Sequence, residues 1–187
     1  MAPGLTLGIL AGGRGQRLGG QDKGWIVRGG ESQIERTLRL HARHAQQVLI
    51  SANRNLDAYG ALAPVVNDRL PDFPGPFAGV QALLAAAPTQ FLITLPVDAI
   101  AVPDDYVPRM MQLRDALEYT VVLAQDDEGM QPLFALYPVA LAAHAGEAIA
   151  AGTRSVREWQ HRFPVQPCRF DGARFGNINT PDDLRNA

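Results

Sequence analysis

The sequence predicts an α/β fold, a single-domain three-layer sandwich with helices on both faces of a mainly parallel, mixed sheet. Three observations favour it. Apolar runs of strand length alternate with helical patterns along the chain, and several of those runs are apolar throughout, as in strands buried on both faces. The 187 residues are 47% apolar and 19% charged, which is typical of a globular protein. Neither a repeat nor a long linker divides the chain.

The first half predicts a strand, a glycine-rich loop, a helix and three further strands. Ser32 can cap that helix, in which Ile34, Leu38 and His41 recur at helical spacing. An alanine-rich helix over 80–87 precedes the last strand, which is apolar throughout and is the candidate central strand. The predicted strands are 5–11, 47–52, 64–66 and 90–95.

The second half adds further helices and strands of the same kind. Pro108 indicates that the helix beginning near Pro103 starts later or bends, and Gly152 ends another. We expect Trp159 to pack in the core and the histidines, including His41 and His44, to be solvated. The predicted strands are 119–124, 132–137 and 164–170, and the predicted helices begin near 103, 139, 153 and Thr180.

Charge and cysteine content exclude several classes of function. The net charge of −2 lacks the basic footprint of a duplex-binding protein, so we expect no nucleic-acid partner. The single cysteine, Cys168, cannot form an intramolecular disulfide or a cysteine zinc site. We expect no signal peptide, because the first residues lack a basic region, and no membrane partner, because apolar runs are short. The predicted location is the cytoplasm.

The segment 10–24, LAGGRGQRLGGQDKG, combines glycines with cations directly after the first predicted strand. It fits neither of two well-known phosphate cradles: the dinucleotide fingerprint from Gly13 has Leu18 at its third glycine position, and Gly20 is followed by Gln-Asp rather than the Lys-Ser/Thr of a P-loop. The loop leaves the carboxyl end of a strand, where open α/β sheets bind ligands. Its amides and Lys23 can therefore surround phosphate oxygens.

This segment resembles the signature of the molybdenum cofactor guanylyltransferases. Cytidylyltransferases that act on the same cofactor look similar, but they typically begin L-A-A-G and lack a GPFAG-like segment. Gly12 therefore favours guanine, and a glycine there would leave room for the purine. Further matching strings follow in the expected order: SANRN at 51–55, ND at 67–68, PGPFAG at 74–79, QPLFALYP at 131–138 and FGNINTPDDL at 175–184.

The resemblance implies a Rossmann-like nucleotidyltransferase fold, with a nucleotide-binding part at about 1–100 and an acceptor-binding part at about 101–187. It implies transfer of GMP from GTP to the terminal phosphate of molybdopterin cofactor, with Mg²⁺, release of pyrophosphate and transient contact with other cofactor-biosynthesis or molybdoenzyme maturation proteins. Two alternatives stay open. One is another nucleotidyltransferase, acting with CTP or on a sugar or alcohol phosphate, and the other is a nucleotide-binding module without turnover.

Three residues are the predicted catalytic group. By resemblance, Asp98 is the Mg²⁺ ligand, and Lys23 and Arg17 contact the triphosphate. Asp98 follows a buried strand, and a carboxylate there suits Mg²⁺, although it could instead cap the next helix. Lys23 alone would be an ordinary surface lysine. Relatives commonly have P-C-D-T-P where this chain has PVDAI at 96–100, so the geometry of the turn is open. Asp22 is expected to orient Lys23 or Arg17.

The resemblance also assigns residues to the two substrates. Asn53 and Asp68 could equally be turn formers, and Gly79 a helix-start glycine. Asn177 and Asn179 precede an ordinary helix start, and Arg154 could be a surface arginine. The residues expected to bind the nucleotide are Leu10, Ala11, Gly12, Gly13, Lys23, Asn53, Asp68, Gly79 and Asp98. Those expected to bind the pterin substrate are Asn177, Asn179 and Arg154.

Overall fold

A computed structural model describes residues 4–12, 21–67, 75–114, 119–178 and 183 of the chain. Four of the predicted site residues lie outside these described residues, and so does all but Asp183 of the helix expected from Thr180. The four are Gly13, Arg17, Asp68 and Asn179.

All seven predicted strands are found to within a few residues, and the structure adds two short strands, β2 (Val27–Arg28) and β3 (Glu31–Ser32), that were not predicted. The predicted seven are β1 (Leu5–Leu10), β4 (Gln47–Ser51), β5 (Val65–Val66), β6 (Phe91–Pro96), β7 (Val121–Asp126), β8 (Gly129–Pro138) and β9 (Val165–Arg169). The described α-helices are α1 (Gln33–His41), α2 (Leu56–Gly60), α3 (Pro76–Ala86), α4 (Tyr106–Gln112), α5 (Ala142–Ala150) and α6 (Val156–Gln160), and 3-10 turns occupy Lys23–Trp25, Ala42–His44 and Val139–Leu141.

Seven of the described strands form one mixed sheet in the order β5-β4-β1-β6-β8-β7-β9. β1 pairs in parallel with β4 and β6, β4 with β5, and β7 with β9, whereas β8 runs antiparallel to both of its neighbours. The expected mainly parallel sheet is confirmed, with β6 at its centre. β2 and β3 form a separate hairpin.

Helices cover both faces of this sheet, as the apolar strands predict. One core joins the sheet to α1, α2 and α4, and the other joins it to α3, α5 and α6, with Trp159 fully buried. The three layers therefore follow from strands whose side chains are apolar on both faces. Among the described residues, no helix has the length and apolarity that a membrane crossing requires.

Helix boundaries follow local chemistry that the sequence partly reveals. Ser32 caps α1 as expected, and Glu35 completes a capping box. α3 starts earlier than predicted: Gly75 takes a left-handed φ of 94° and Pro76 occupies the first turn, where proline needs no amide hydrogen. α4 starts at Tyr106, which places Pro108 in its first turn.

The expectation that His41 is solvated is wrong. The side chain is 1% exposed at the end of α1 and packs edge-on against Tyr106, and its Nδ1 is buried with no hydrogen-bond partner among the described residues. Burial lowers the pKa of His41 from 6.5 to about 4, against the opposing attraction of Asp104. Helical spacing placed His41 on the apolar side of α1, and the core accepts its neutral imidazole.

We predict that His41 makes the fold acid-sensitive. Because its pKa is lower in the folded protein, the unfolded chain binds more protons between about pH 6.5 and 4, and the free energy of unfolding falls as the pH drops through that window. The expected loss from this group between pH 7 and 5 is about 2 kcal/mol. Urea denaturation of the wild type and of His41→Leu at both pH values measures it. Equal losses in the two proteins would contradict the assignment.

Candidate active site

The centre of the site is an ion pair between two of the predicted catalytic residues. Lys23 Nζ lies 2.7 Å from Asp98 Oδ2, and both side chains are only 18% exposed. Asp98 follows β6, and Lys23 opens the 3-10 turn before β2. Asp98 does not cap the next helix, because Asp105 is the N-cap residue of α4. The fold thus brings together two opposite charges that are 75 residues apart in the chain.

The site lies where the sheet changes its winding direction. From β1 the chain crosses to β4 and β5 on one side, and then returns to β6 on the other side of β1. Such a switch point opens a crevice at the carboxyl ends of the strands. The segments that follow β4, β1 and β6 therefore lie side by side, and they carry Asn53, Gly12 and Asp98 in that order.

The end of β1 is fixed by the backbones of both neighbouring strands. The Val97 amide donates to the Leu10 carbonyl over 3.0 Å, and the Ala11 amide donates to the Ser51 carbonyl over 2.8 Å. Ala11 is 3% exposed. Leu10 and Ala11 thus hold the chain rigidly up to Gly12, and their contact with a nucleotide stays a prediction.

Gly12 and Asn53 face each other across the ends of β1 and β4. A Cβ built on Gly12 would lie 3.6 Å from Asn53 Nδ2, which is an ordinary contact distance and, among the residues that the structure describes, the one contact within 4 Å. Gly12 also lacks a positive φ. Within the described residues, neither backbone conformation nor crowding requires glycine at this position. The fold therefore leaves open that glycine is needed here to make space for a ligand.

At Gly79, in contrast to Gly12, the surrounding side chains leave no room for a Cβ. It lies buried in α3, and an added Cβ would come within 2.9 Å of Ser51 Oγ and 3.0 Å of Leu10 Cδ2. Glycine here lets α3 pack closely on β1 and β4, whatever binds nearby. Its contact with guanosine stays a prediction.

The acceptor-side segment is bonded directly to the turn that carries Asp98. The Ile178 amide donates to the Asp98 carbonyl over 2.9 Å, and Asn177 forms an isolated antiparallel bridge with Ala99. The Phe175 carbonyl accepts from the Ile100 amide at 3.0 Å. Asn177 is exposed and therefore lies at the surface directly beside the Asp98 turn.

The turn at 97–101 is further held by side chains on the opposite side. Gln33 Nε2 donates to the Ala99 carbonyl at 3.4 Å, and Arg28 Nη1 donates to the Ile100 carbonyl at 3.2 Å. Burial and the nearby Arg36 lower the pKa of Arg28. Both bonds are accepted by backbone carbonyls of the turn and use none of its side chains. The turn is therefore anchored in this chain even though its sequence departs from P-C-D-T-P.

A second carboxylate supports the acceptor-side segment from the β7–β8 turn. Asp126 is 6% exposed and accepts hydrogen bonds from the Phe175 amide, Gln131 Nε2 and the Glu128 amide, each at 2.9 Å. Burial opposes its charge, but these hydrogen bonds, led by that of Phe175, lower the pKa of Asp126 below its ordinary value. The segment that carries Asn177 is thus held at both of its sides.

Arg154 stands apart from the other predicted residues. It is exposed in the connection between α5 and α6, next to Ser155, which caps α6. In the described part of the chain, no hydrogen bond or ion pair joins it to another predicted site residue. Its role toward the pterin substrate stays a prediction.

Sequence reasoning missed four residues that shape the site: Arg28, Gln33, Asn55 and Tyr59. Arg28 and Gln33 bind the Asp98 turn, while Asn55 and Tyr59 donate to Asp22. The string SANRN contains Asn55 and offered a signal for it. Tyr59 had none, because an aromatic residue on a short helix is typical of core packing.

Comparison with known proteins decides the family. Residues 7–164 match the model of the MobA-like NTP transferase domain. The chain belongs to this family. It is 38% identical to a protein of Cupriavidus pinatubonensis named molybdenum cofactor guanylyltransferase, across 95% of this chain and 92% of the relative. The family predicted from the order of the motifs is therefore confirmed, and with it the expectation of a nucleotidyltransferase.

Solved structures of other proteins share the fold. The molybdopterin-guanine dinucleotide biosynthesis protein A of Archaeoglobus fulgidus superposes with a TM-score of 0.76 at 22% identity, covering 97% of this chain and 95% of that one. A Mycobacterium tuberculosis protein in complex with manganese gives 0.70 at 18% identity, covering 98% and 97%. The predicted Rossmann-like nucleotidyltransferase fold is confirmed.

We predict that the same substitution acts differently at the two described glycines of the site. Gly79→Ala should lower the free energy of unfolding by about 1–3 kcal/mol, because its Cβ would overlap Ser51 and Leu10. Gly12→Ala should change it by less than about 0.5 kcal/mol, because its Cβ has room. Chemical denaturation of both variants tests this. A large loss for Gly12→Ala would show that Gly12 serves the fold.

Proposed function

We propose that the protein transfers GMP from GTP to the terminal phosphate of the molybdopterin cofactor, forming the guanine dinucleotide cofactor and releasing pyrophosphate. One observation carries the proposal: Asn53, Gly12, the Lys23–Asp98 pair and Asn177 follow one another along a single edge of the sheet. This order matches a nucleoside, its phosphates and an acceptor laid out in a row. The name of the 38% identical relative supports the same reaction.

The nucleoside would bind at the Gly12–Asn53 end of this row. The Asn53 amide offers a donor and an acceptor to base or ribose, and Asp68 is expected to accept from the guanine ring N–H and exocyclic amine. The absence of a side chain at Gly12, where an added Cβ would already contact Asn53 at 3.6 Å, suits a purine. CTP would leave that space less filled, which favours guanylyl over cytidylyl transfer.

The phosphates would lie between the loop after β1 and Asp98. Lys23 is a point charge suited to phosphate oxygens, with Arg17 and the amide of Gly13 as further expected contacts. In the structure the Lys23 ammonium is bonded to Asp98. Triphosphate binding must therefore separate the pair, at least in part, before Lys23 can reach a phosphate oxygen.

Asp98 would hold a divalent cation, which we propose is Mg²⁺. Its carboxylate is partly exposed at the strand edge, and Mg²⁺ typically takes one or two protein carboxylates together with substrate phosphates and water. In the part of the chain that the structure describes, no group of three or more His, Cys, Asp or Glu side chains could form a protein-only metal cage. The donor set therefore fits a metal shared with substrate, and the manganese complex of the M. tuberculosis protein supports a divalent ion. When bound, the ion would neutralise charge on the phosphates.

Transfer needs no covalent intermediate on the protein. A terminal phosphate oxygen of the acceptor attacks the α-phosphorus of GTP, the new P–O bond forms, and the bond to the β-phosphate oxygen breaks to release pyrophosphate. The protein contributes position and charge. Asn177 and Asn179 would hold the acceptor beside the Asp98 turn, with Arg154 on its phosphate, and Lys23 would stabilise the negative charge of the transferring group.

The expected partners beyond the substrates follow from the family alone. Transient contact with other cofactor-biosynthesis or maturation proteins is part of the proposal and rests on membership of the family. A cytoplasmic location is also part of the proposal and rests on the single cysteine of the sequence.

Pyrophosphate release by the purified protein tests the proposal directly. With Mg²⁺ and molybdopterin cofactor we expect turnover with GTP and little with CTP. Preference for CTP would overturn the assignment of the base, and absence of turnover with either nucleotide would overturn the reaction.

We predict that Asp98→Ala abolishes transfer, by at least about 100-fold, because it removes the proposed metal ligand and the partner of Lys23. The control is Asp104→Ala, which removes an exposed carboxylate from the same connection between β6 and α4 and should retain activity. Denaturation curves check that both variants fold. Near-normal turnover of a folded Asp98→Ala protein would contradict the assignment of the metal ligand.

A further inference from the structure

We propose that Tyr59 and Asn55 are positioning residues for Lys23, acting through the buried carboxylate of Asp22. The proposal rests on the function proposed above, and it assigns to α2 and the residue before it a role in holding the phosphate-binding cation.

Asp22 gathers three hydrogen-bond donors around one carboxylate. Its Oδ1 accepts from the Tyr59 hydroxyl at 2.7 Å and from the Gly24 amide at 3.1 Å, while its Oδ2 accepts from Asn55 Nδ2 at 2.8 Å. Arg54 Nε adds an ion-pair distance of 3.6 Å to Oδ2. The Asp22 side chain is only 6% exposed, so these protein donors replace the water that a carboxylate would otherwise bind.

The turn that carries Lys23 packs closely against Tyr59. Gly24 is buried, and a Cβ built on it would lie 2.2 Å from the Tyr59 hydroxyl oxygen. The neighbouring Trp25 ring packs on Tyr59 with ring centroids 5.2 Å apart. Tyr59 thus contacts Asp22 and Gly24, the two chain neighbours of Lys23, and also Trp25.

Lys23 is fixed at its backbone as a consequence. Asp22 caps the 3-10 turn Lys23–Trp25 through the Gly24 amide, so the carboxylate determines where that turn begins. From this anchored turn the Lys23 side chain extends to Asp98. A shift of Asp22 would move the backbone from which the Lys23 side chain extends, whereas the partner of its ammonium, Asp98, lies in the separate turn after β6.

The Tyr59 hydroxyl is suited to a constant donor role. Burial, with the hydrogen bond to Asp22, raises the pKa of Tyr59 far above its ordinary value. The hydroxyl therefore remains protonated at neutral pH, and Asp22 keeps its donor.

Asn55 connects this anchor to the nucleoside side of the site. It has a left-handed φ of 52°, a conformation that asparagine tolerates, and it makes no side-chain cap for α2. Its amide is used on Asp22 instead. Because Asn55 follows Asn53 by two residues, the same segment contributes to the expected nucleoside contact and to the anchor of the phosphate contact.

The test is the affinity for GTP with Mg²⁺ in the absence of acceptor, together with kcat and KM in the complete reaction. Tyr59→Phe keeps the ring on Trp25 and removes only the donor. Asn55→Gly keeps the left-handed backbone and removes the other donor. We expect each variant to weaken GTP binding about 3- to 10-fold and to raise KM for GTP accordingly.

Tyr137→Phe is the matched control. The Tyr137 hydroxyl is also buried and bonded, to Gln160 Nε2 at 2.6 Å, but Tyr137 pairs with Leu92 near the amino end of β6, away from Asp98. Losing this hydroxyl should lower the stability without changing the affinity for GTP. If Tyr137→Phe weakens GTP binding as much as Tyr59→Phe, the effect of Tyr59 is merely structural and the proposal is overturned.

A double-variant cycle with Lys23→Ala shows whether Tyr59 acts through Lys23. We expect Tyr59→Phe to cost little further affinity once Lys23 is replaced, because the group that it positions is gone. Full additivity, with Lys23→Ala itself weakening binding, would overturn this inference and leave the proposed function standing. Unchanged GTP affinity of Lys23→Ala would overturn both.

Discussion

The parallel pairing of β1 with both β4 and β6 is the constraint on which the site depends. Because all three strands point the same way, their carboxyl ends meet at one edge, and the chain segments that follow them become neighbours. Gly12, Asn53 and Asp98 lie together for this reason, although they are far apart in the sequence. Reversing any one of these strands would send its functional residue to the opposite edge.

The charged side chains that the structure describes at this edge are partly or largely buried, and each is paired with a protein group. Lys23 and Asp98 form an ion pair across the crevice, whereas Asp22 accepts hydrogen bonds from Tyr59 in α2, from Asn55 before it and from the Gly24 amide. The two carboxylates therefore have different environments. Asp22 is enclosed by hydrogen-bond donors and fixes the turn that carries Lys23, whereas Asp98 remains partly exposed. On the proposed function, a nucleotide entering the crevice would meet a lysine whose backbone is already held, which would reduce the entropy lost on binding.

Much of the fold and part of the site can be predicted from the sequence. Strands that are apolar throughout, the Ser32 cap and the polar residues after β4 and β6 all have local signals, and those signals also place Lys23 and Asp98 at the same edge. The remainder depends on contacts between distant segments. His41 is buried because the core closes over the end of α1. The bonds of Asn55 and Tyr59 to Asp22, and those of Arg28, Gln33 and Phe175 to the Asp98 turn, join residues that no local pattern links.

A crystal structure with GTP and Mn²⁺, read by the anomalous scattering of manganese, tests the account most directly. We predict a manganese ion bonded to a carboxylate oxygen of Asp98 and to a triphosphate oxygen, the guanine beside Gly12 and Asn53, and the Lys23 ammonium moved from Asp98 onto a phosphate. A nucleotide bound away from this edge of the sheet, or a metal held without Asp98, would contradict it.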